Sequence, residues 1–149
     1  MSNHLSLKLL VVFSRSWHFI EENIKKDITS YGLNSTEFGV LELLYHKGEQ
    51  PIQQIGKKIL LTSGSITYVV DKLEKKQLIV RKSCHKDRRV TYVHLTKKGE
   101  ELIEKIFPTH SDYVNQLFST LSDDEKETMI ALCKKISLQK GMIQDDHYL

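Results

Sequence analysis

Positive charge is concentrated in one stretch of the chain, from Leu60 to Gly99. Residues 62–98 carry ten lysines and arginines against three carboxylates, a net charge of +7. The whole 149-residue chain has 22 basic and 19 acidic residues, a net charge of +3, so the residues outside this stretch sum to −4. Such a basic unit is expected to attract a nucleic-acid backbone.

The first half of this stretch has the pattern of a helix that can enter a DNA groove. Ile66, Val69, Val70 and Leu73 recur at helical spacing and predict its buried side. The small residues of its first turn would allow close approach to a major groove. Taken alone, this pattern favours an ordinary surface helix with a Ser/Thr cap. The candidate DNA-binding residues on the helix are Thr62, Ser63, Ser65, Thr67, Tyr68 and Lys72.

A basic hairpin follows the helix, and the combination predicts a winged helix-turn-helix. Two β-rich runs, Leu78–Lys82 and Arg89–Leu95, flank a charged turn, which alone would be typical of a solvated loop. Asp87 cannot bind phosphate, so we expect it to hold one arginine by a bidentate pair while the other enters a minor groove. The candidate DNA-binding residues of the hairpin are Lys82, Lys86, Asp87, Arg88 and Arg89.

The rest of the chain predicts a mainly α fold with a small β-hairpin wing. A long amphipathic helix is expected to end at Tyr31-Gly32, and Asn34 with Glu37 forms a capping box for the second helix. Pro51 suits the first turn of a short third helix. The fifth helix should begin after Thr96 and bend at Pro108, and a sixth should follow the capping box of Ser122 and Glu125.

The terminal helices carry more apolar surface than a small winged helix needs, which favours a partner. We expect a single domain over residues 1–149, with residues 1–31 and 100–149 as dimerisation helices and residues 33–98 as the DNA-binding lobe. A two-fold homodimer would bind double-stranded DNA at a pseudo-palindromic operator, with half-sites roughly 34–36 Å apart. Packing of these helices on their own subunit is the alternative.

The sequence resembles the MarR family (multiple antibiotic resistance regulators). Asp87 to Gly99 is similar to the family's wing signature, Asp-x-Arg, a strand, then Leu-Thr-x-x-Gly, and residues 63–67, 70–74 and 33–38 also match. The resemblance implies a homodimeric transcriptional regulator, usually a repressor, released by a small-molecule effector or by oxidation. It implies that Arg89 enters a minor groove, braced by Asp87, and that Ser63, Ser65, Thr67 and Tyr68 face the major groove.

The resemblance also implies an effector cleft between the dimer helices and the winged-helix lobe. Its aromatic lining would suit a planar apolar ligand with a polar edge, although helical spacing favours a core role for most of these residues. The candidate effector-binding residues are Phe13, Trp17, His18, Tyr31, Phe38 and Tyr45. Leu41 is expected to contribute to the same lining.

Oxidant sensing through a first-helix cysteine, known in one branch of the family, is not expected, because Ser14 and Ser16 stand in that region. Cys84 is a redox candidate, since Lys82, His85 and Lys86 surround it and positive charge favours the thiolate. Part of the sequence resembles a branch of the family that responds to quinones. Cys133 is expected to behave as a small buried hydrophobe.

Other classes of function find less support in the residues. No apolar run approaches a membrane span, no signal peptide is evident, and two cysteines fit a reducing cytoplasm. The spacing of Cys84, His85 and His94 is not that of a zinc site, and neither a metal, a cofactor nor a catalytic constellation is expected. The main alternative is a winged-helix module that contacts only proteins. RNA binding is a lesser option.

Overall fold

The computed structural model describes residues 2–59 and 63–138 and has the predicted order of elements, with one additional strand. It is mainly helical and carries a small antiparallel sheet, so the predicted fold class is confirmed. The elements are α1 Ser2–Thr29, α2 Ser35–Lys47, β1 Gln50–Pro51, α3 Ile52–Lys58, α4 Ser63–Lys75, β2 Ile79–Ser83, β3 Thr91–Leu95, α5 Lys97–Leu117 and α6 Asp123–Leu138.

Side-chain caps fix the helix starts where the sequence predicted them. The N–H of Glu37 donates to Oδ1 of Asn34 at 2.8 Å, and the N–H of Asn34 donates back to Oε1 of Glu37 at 3.1 Å. Ser122 and Glu125 repeat this reciprocal arrangement at 3.2 and 2.9 Å. Thr96 Oγ1 accepts from the N–H of Gly99 at 3.0 Å at the start of α5. Each cap satisfies backbone donors that a helix start leaves unpaired.

The core lies within the lobe formed by α2, α3, α4 and the sheet, and α5 covers it. The fully buried apolar residues are Val40, Leu41, Ile55, Val70, Leu73, Val93 and Ile103. They come from five different elements, so the packing of their side chains fixes the positions of α4 and the sheet relative to each other.

The sheet contains a short strand that the sequence analysis missed. The strand order is β1-β3-β2, with Gln50 opposite Val93 and Pro51 opposite Tyr92. Pro51 was predicted in the first turn of α3 but stands immediately before that helix, on the edge strand. Proline is tolerated there because an edge position does not require its missing N–H.

The second wing strand is shorter than predicted. It was expected from Arg89 but begins at Thr91, because the N–H of Val90 donates to the carbonyl of Asp87 at 3.0 Å and keeps Arg89 in the turn. Pro108 lies inside α5 as predicted, and the bend expected there stays a prediction.

The two terminal helices leave large apolar side chains uncovered in the single chain. Leu10 and Trp17 of α1 are 62% and 57% exposed, and Leu132 of α6 is 53% exposed. Cys133, predicted to be buried, is only half-buried. Within residues 2–59 and 63–138, no helix is both long and apolar enough to cross a lipid bilayer.

Candidate nucleic-acid interface

The candidate recognition helix, α4, separates a buried side from an exposed side. Ile66, Val69, Val70 and Leu73 are buried as predicted. The candidate DNA-binding residues Ser65, Thr67, Tyr68 and Lys72 are exposed, and Tyr68 retains 67% of its accessible surface. Ser63 is the first residue of α4, and Thr62 lies outside the described residues.

The wing presents an arginine that is held by its neighbour. Nε of Arg89 lies 3.1 Å from Oδ1 of Asp87, and its Nη2 lies 3.3 Å from Oδ2, so the pair is bidentate. The backbone N–H of Arg89 also donates to Oδ1 of Asp87 at 3.0 Å. These hydrogen bonds hold the pKa of Asp87 below its usual value. The side chain of Arg89 is nonetheless 91% exposed.

The arginine that Asp87 holds is thus Arg89 itself. The residue-based expectation was that Asp87 would hold one arginine so that the other could enter the groove, whereas the family resemblance made Arg89 both the braced residue and the one that enters the groove. The pairing agrees with the second assignment. Lys82, Lys86 and Arg88 are exposed around this turn, so they add positive charge to the same surface.

Two ion-pair networks that the sequence analysis missed hold α4 in place. Arg81 of β2 contacts both Asp71 and Glu74 of α4. Immediately after the helix, Nζ of Lys76 lies 2.7 Å from Oε2 of Glu37, whose side chain is only 2% exposed. From the sequence, Glu37 was interpreted as part of a helix cap and the other residues as surface charges. Their pairing depends on how α2, α4 and β2 pack, which no local spacing reveals.

Among the residues that the structure describes, the candidate effector residues lie in different surroundings. Phe13, Trp17 and His18 are exposed on α1, and His18 lies 3.3 Å from Glu22. Phe38 is only 4% exposed and belongs, with Leu41, to the core. An open cavity of about 230 Å³ does exist, and Tyr45 is the one candidate that lines it; its other lining residues are Leu44, Gly48, Glu49, His94, Leu95 and Glu100.

A buried polar cluster at the junction of α1, α2 and α5 was also missed. Nδ1 of His110 lies 2.7 Å from Oδ2 of Asp27, and the hydroxyl of Tyr31 donates to Oδ1 of Asp27 at 2.8 Å. Burial, the hydrogen bond to Asp27 and its negative charge raise the pKa of Tyr31 to about 12. The ring of Phe38 lies 4.6 Å from that of His110. A signal did exist, since His110 continues the apolar spacing of Ile103 and Ile106.

Burial also raises the pKa of Glu42, while the nearby His110 acts in the opposite direction. Glu42 therefore adds a second carboxyl group, after that of Asp27, near His110. Among the described residues, no hydrogen bond joins Glu42 to a predicted site residue.

Cys84, the redox candidate, lies at the base of the wing turn and is half-buried. Its backbone N–H donates to the carbonyl of Val90 at 2.9 Å and closes the hairpin. Among the residues that the structure describes, no group of three or more histidines, cysteines and carboxylates is placed to hold a metal ion.

Comparisons with known proteins identify the family. The MarR family model matches residues 33–91. The HTH-type transcriptional regulator MhqR of Bacillus subtilis is 53% identical over 133 residues, covering 89% of this chain and 92% of MhqR. A mutant MarR from Escherichia coli, solved with operator DNA, shares the fold with a TM-score of 0.78 at 21% identity, covering 87% of this chain and 93% of that one.

A second solved structure is that of BpsR of Bordetella bronchiseptica, whose DNA binding is regulated by 6-hydroxynicotinic acid. It has a TM-score of 0.77 at 22% identity and covers 87% of this chain and 98% of that chain. At such identity the two structures show the fold alone, whereas the similarity to MhqR extends over nearly the full length of both sequences. Together with the winged-helix fold, these matches show that the chain belongs to the MarR family of transcriptional regulators.

Proposed function

We propose that the chain acts as a homodimeric repressor that binds a pseudo-palindromic operator. The observation that carries this proposal is the Asp87–Arg89 pair, which displays a held and almost fully exposed arginine on the hairpin that follows α4. Repression is the usual activity in this family. We also propose that it acts in the cytoplasm, a reducing compartment in which its two free cysteines would stay unpaired.

In this proposal α4 enters the major groove and Arg89 enters the neighbouring minor groove. The exposed hydroxyls of Ser65 and Thr67 and the ring of Tyr68 would contact base edges and phosphates. Lys72, Lys82, Lys86 and Arg88 would bind the backbone on either side, and Thr62 and Ser63 would complete the start of the helix. A minor groove narrowed by its sequence attracts an inserted arginine strongly.

The terminal helices supply the dimer in this proposal. Residues 1–31 and 100–149 would pair with the same residues of a second copy, and residues 33–98 would form each DNA-binding lobe. The exposed apolar side chains of α1 and α6 support this division, because single-chain proteins rarely leave such faces uncovered. A two-fold dimer also presents two identical lobes to the two half-sites.

We further propose that a small aromatic or quinone-like effector controls the dimer. Phe13, Trp17 and His18 are exposed at the face that a partner would cover, and Tyr31 and Tyr45 lie at the junction with the lobe. Phe38 would act from the core, against His110. Cys84 is the site at which an electrophile would react. Replacement of Cys84 by serine would therefore abolish the loss of DNA binding that the electrophile causes. The structure of BpsR supports the general scheme, since its DNA binding is regulated by an aromatic acid.

The test measures binding of the purified protein to fragments of its own upstream DNA by fluorescence anisotropy at several salt concentrations. We expect tight binding to one fragment that weakens steeply with salt, because each neutralised phosphate releases counterions. Arg89→Ala should lose this binding. Lys47→Ala is the control, since it removes one positive charge from the exposed surface of α2, outside the proposed DNA contacts and the proposed dimerisation helices, and should keep binding.

The opposite result would favour a winged helix that contacts only proteins. That result is weak binding, equal for every fragment and equal for the Arg89 and Lys47 variants. A reporter gene placed beside the protein's operator tests repression. Its expression should be lower with the wild-type protein than with Arg89→Ala. Higher expression with the wild type would instead show activation.

A further inference from the structure

One arginine joins the recognition helix to the first strand of the wing. Nη2 of Arg81 donates to Oδ1 of Asp71 at 2.5 Å and to Oε1 of Glu74 at 3.0 Å. Its Nε lies 3.4 Å from Oε2 of Glu74, and its backbone N–H donates to the same oxygen at 3.3 Å. A single side chain therefore holds two carboxylates that lie three residues apart on α4. We call this contact the Arg81 bridge.

The Arg81 bridge is a charged contact at neutral pH. Hydrogen bonds from Arg81 lower the pKa of Glu74, and the hydrogen bonds of Glu74 and Asp71 raise the pKa of Arg81. The guanidinium is half-buried between strand and helix, and its planar donors can serve two carboxylates at once.

The position of the bridge in the fold determines what it can control. Three residues, 76–78, join α4 to β2. Arg81 lies in the middle of β2, opposite Val93 of β3, and the same two strands carry the wing turn that displays Arg89. The angle between α4 and β2 therefore sets where Arg89 lies when α4 occupies a major groove.

We propose that Arg81 is a positioning residue for operator recognition, and that its bridge to Asp71 and Glu74 fixes the angle between the recognition helix and the wing. This inference rests on the proposed operator binding. Reading of bases requires α4 and Arg89 to reach one half-site together, whereas binding to unrelated DNA depends chiefly on the number of phosphate contacts. Loss of the bridge should therefore reduce discrimination more than it reduces general affinity.

A purely electrostatic role for Arg81 makes a different prediction. The guanidinium also neutralises two carboxylates, whose negative charge would otherwise repel phosphates of any sequence. Arg81→Lys separates the two roles, because lysine keeps the charge but cannot hold two carboxylates with one planar group. If only charge matters, Arg81→Lys should behave like the wild type.

The experiment measures dissociation constants for the operator and for a scrambled duplex of equal length. The proteins are the wild type, Arg81→Lys, and Lys82→Gln as the neighbouring control. For Arg81→Lys we expect operator affinity to fall about three- to tenfold, with scrambled-duplex affinity changed less than about twofold. Lys82→Gln removes a proposed phosphate contact, so it should weaken both duplexes alike and reduce the salt dependence.

A second variant changes the two carboxylates of α4 that the Arg81 bridge holds. Asp71→Asn combined with Glu74→Gln removes two negative charges and leaves Arg81 in place. If Arg81 positions the wing, this variant should discriminate less between operator and scrambled duplex, despite its gain in positive charge. If Arg81 acts only by neutralising charge, the variant should bind both duplexes more tightly. Thermal unfolding of each variant checks that it folds, and either variant alone suffices for the test.

The inference is overturned if Arg81→Lys discriminates like the wild type, or if both duplexes lose affinity equally. It is also overturned if the Asp71 and Glu74 variant binds both duplexes more tightly with unchanged discrimination. Failure of the proposed function gives a different result. In that case the wild-type protein itself binds the operator and the scrambled duplex equally, and no variant is needed to see it.

Discussion

At the scale of single residues, the wing signature has a steric explanation in Gly99. A Cβ at this position would lie 2.0 Å from the carbonyl oxygen of Leu78, the same oxygen that accepts from the N–H of Thr96 at 3.0 Å. Thr96 also donates its hydroxyl to the carbonyl of Gln77 at 2.7 Å. The Leu-Thr-x-x-Gly motif therefore seats the start of α5 against the turn between α4 and β2.

We expect Gly99→Ala to destabilise the protein by at least ~2 kcal/mol, because an overpacked contact with backbone cannot relax by rotating a side chain. The measurement is urea unfolding at a fixed protein concentration. Gly39→Ala is the matched control, since among the described residues its Cβ would meet only Ile59 Cγ2, at 3.8 Å. That helical position should become more stable by up to about 1 kcal/mol. Equal stability of the two variants would contradict the steric explanation.

At the scale of elements, the wing turn depends on the carboxylate of Asp87. Asp87→Asn keeps an oxygen that can accept from the N–H of Arg89 but loses the charged pair with its guanidinium. Added positive charge alone would strengthen DNA binding. We expect operator affinity to fall roughly threefold or more instead, because the arginine then samples more conformations before it enters the groove.

Anisotropy titrations with the operator test this expectation. Asp112→Asn is the control, because it makes the same change of charge on the exposed surface of α5. Tighter binding by Asp87→Asn than by the control would show that charge dominates over the brace. The pKa of Asp87 is held below its usual value, so the pair should persist throughout the neutral range and be lost only as the pH falls through that lowered value.

Local signals in the sequence predicted the elements and the wing, but not the contacts between elements. The capping box of Asn34 and Glu37 and the Asp87–Arg89 pair each lie within three residues, so spacing alone reveals them. The Asp27–His110 pair joins residues 83 positions apart, and it exists only once α1 and α5 pack together. Aromatic spacing could not separate a cleft from a core either, and Phe38 lies in the core.

At the scale of the whole molecule, positive charge is concentrated in residues 62–98, and exposed apolar side chains lie on α1 and α6. Leu10 of α1 and Leu132 of α6 are more than half exposed in the single chain. A dimer interface of ordinary size, roughly 1,200–2,000 Å², would cover such residues on both copies. Residues 62–98 contribute +7 per chain, so dimerisation also places two strongly basic surfaces on one molecule.

We expect Leu10→Glu and Leu132→Glu each to raise the dimer dissociation constant at least about tenfold, because each places a charge in an apolar interface without a partner. Sedimentation velocity over a range of concentrations measures this change. Tyr68→Glu is the matched control, since it introduces the same charge at a side chain that is 67% exposed but lies on α4.

The control should remain dimeric and lose operator binding, whereas the two leucine variants should lose operator binding only as they dissociate. At concentrations high enough to restore the dimer, Leu10→Glu should again bind the operator, because its lobe is unchanged. A wild-type protein that sediments as a monomer at micromolar concentration would contradict the proposed dimer. The exposed faces of α1 and α6 would then require a different partner.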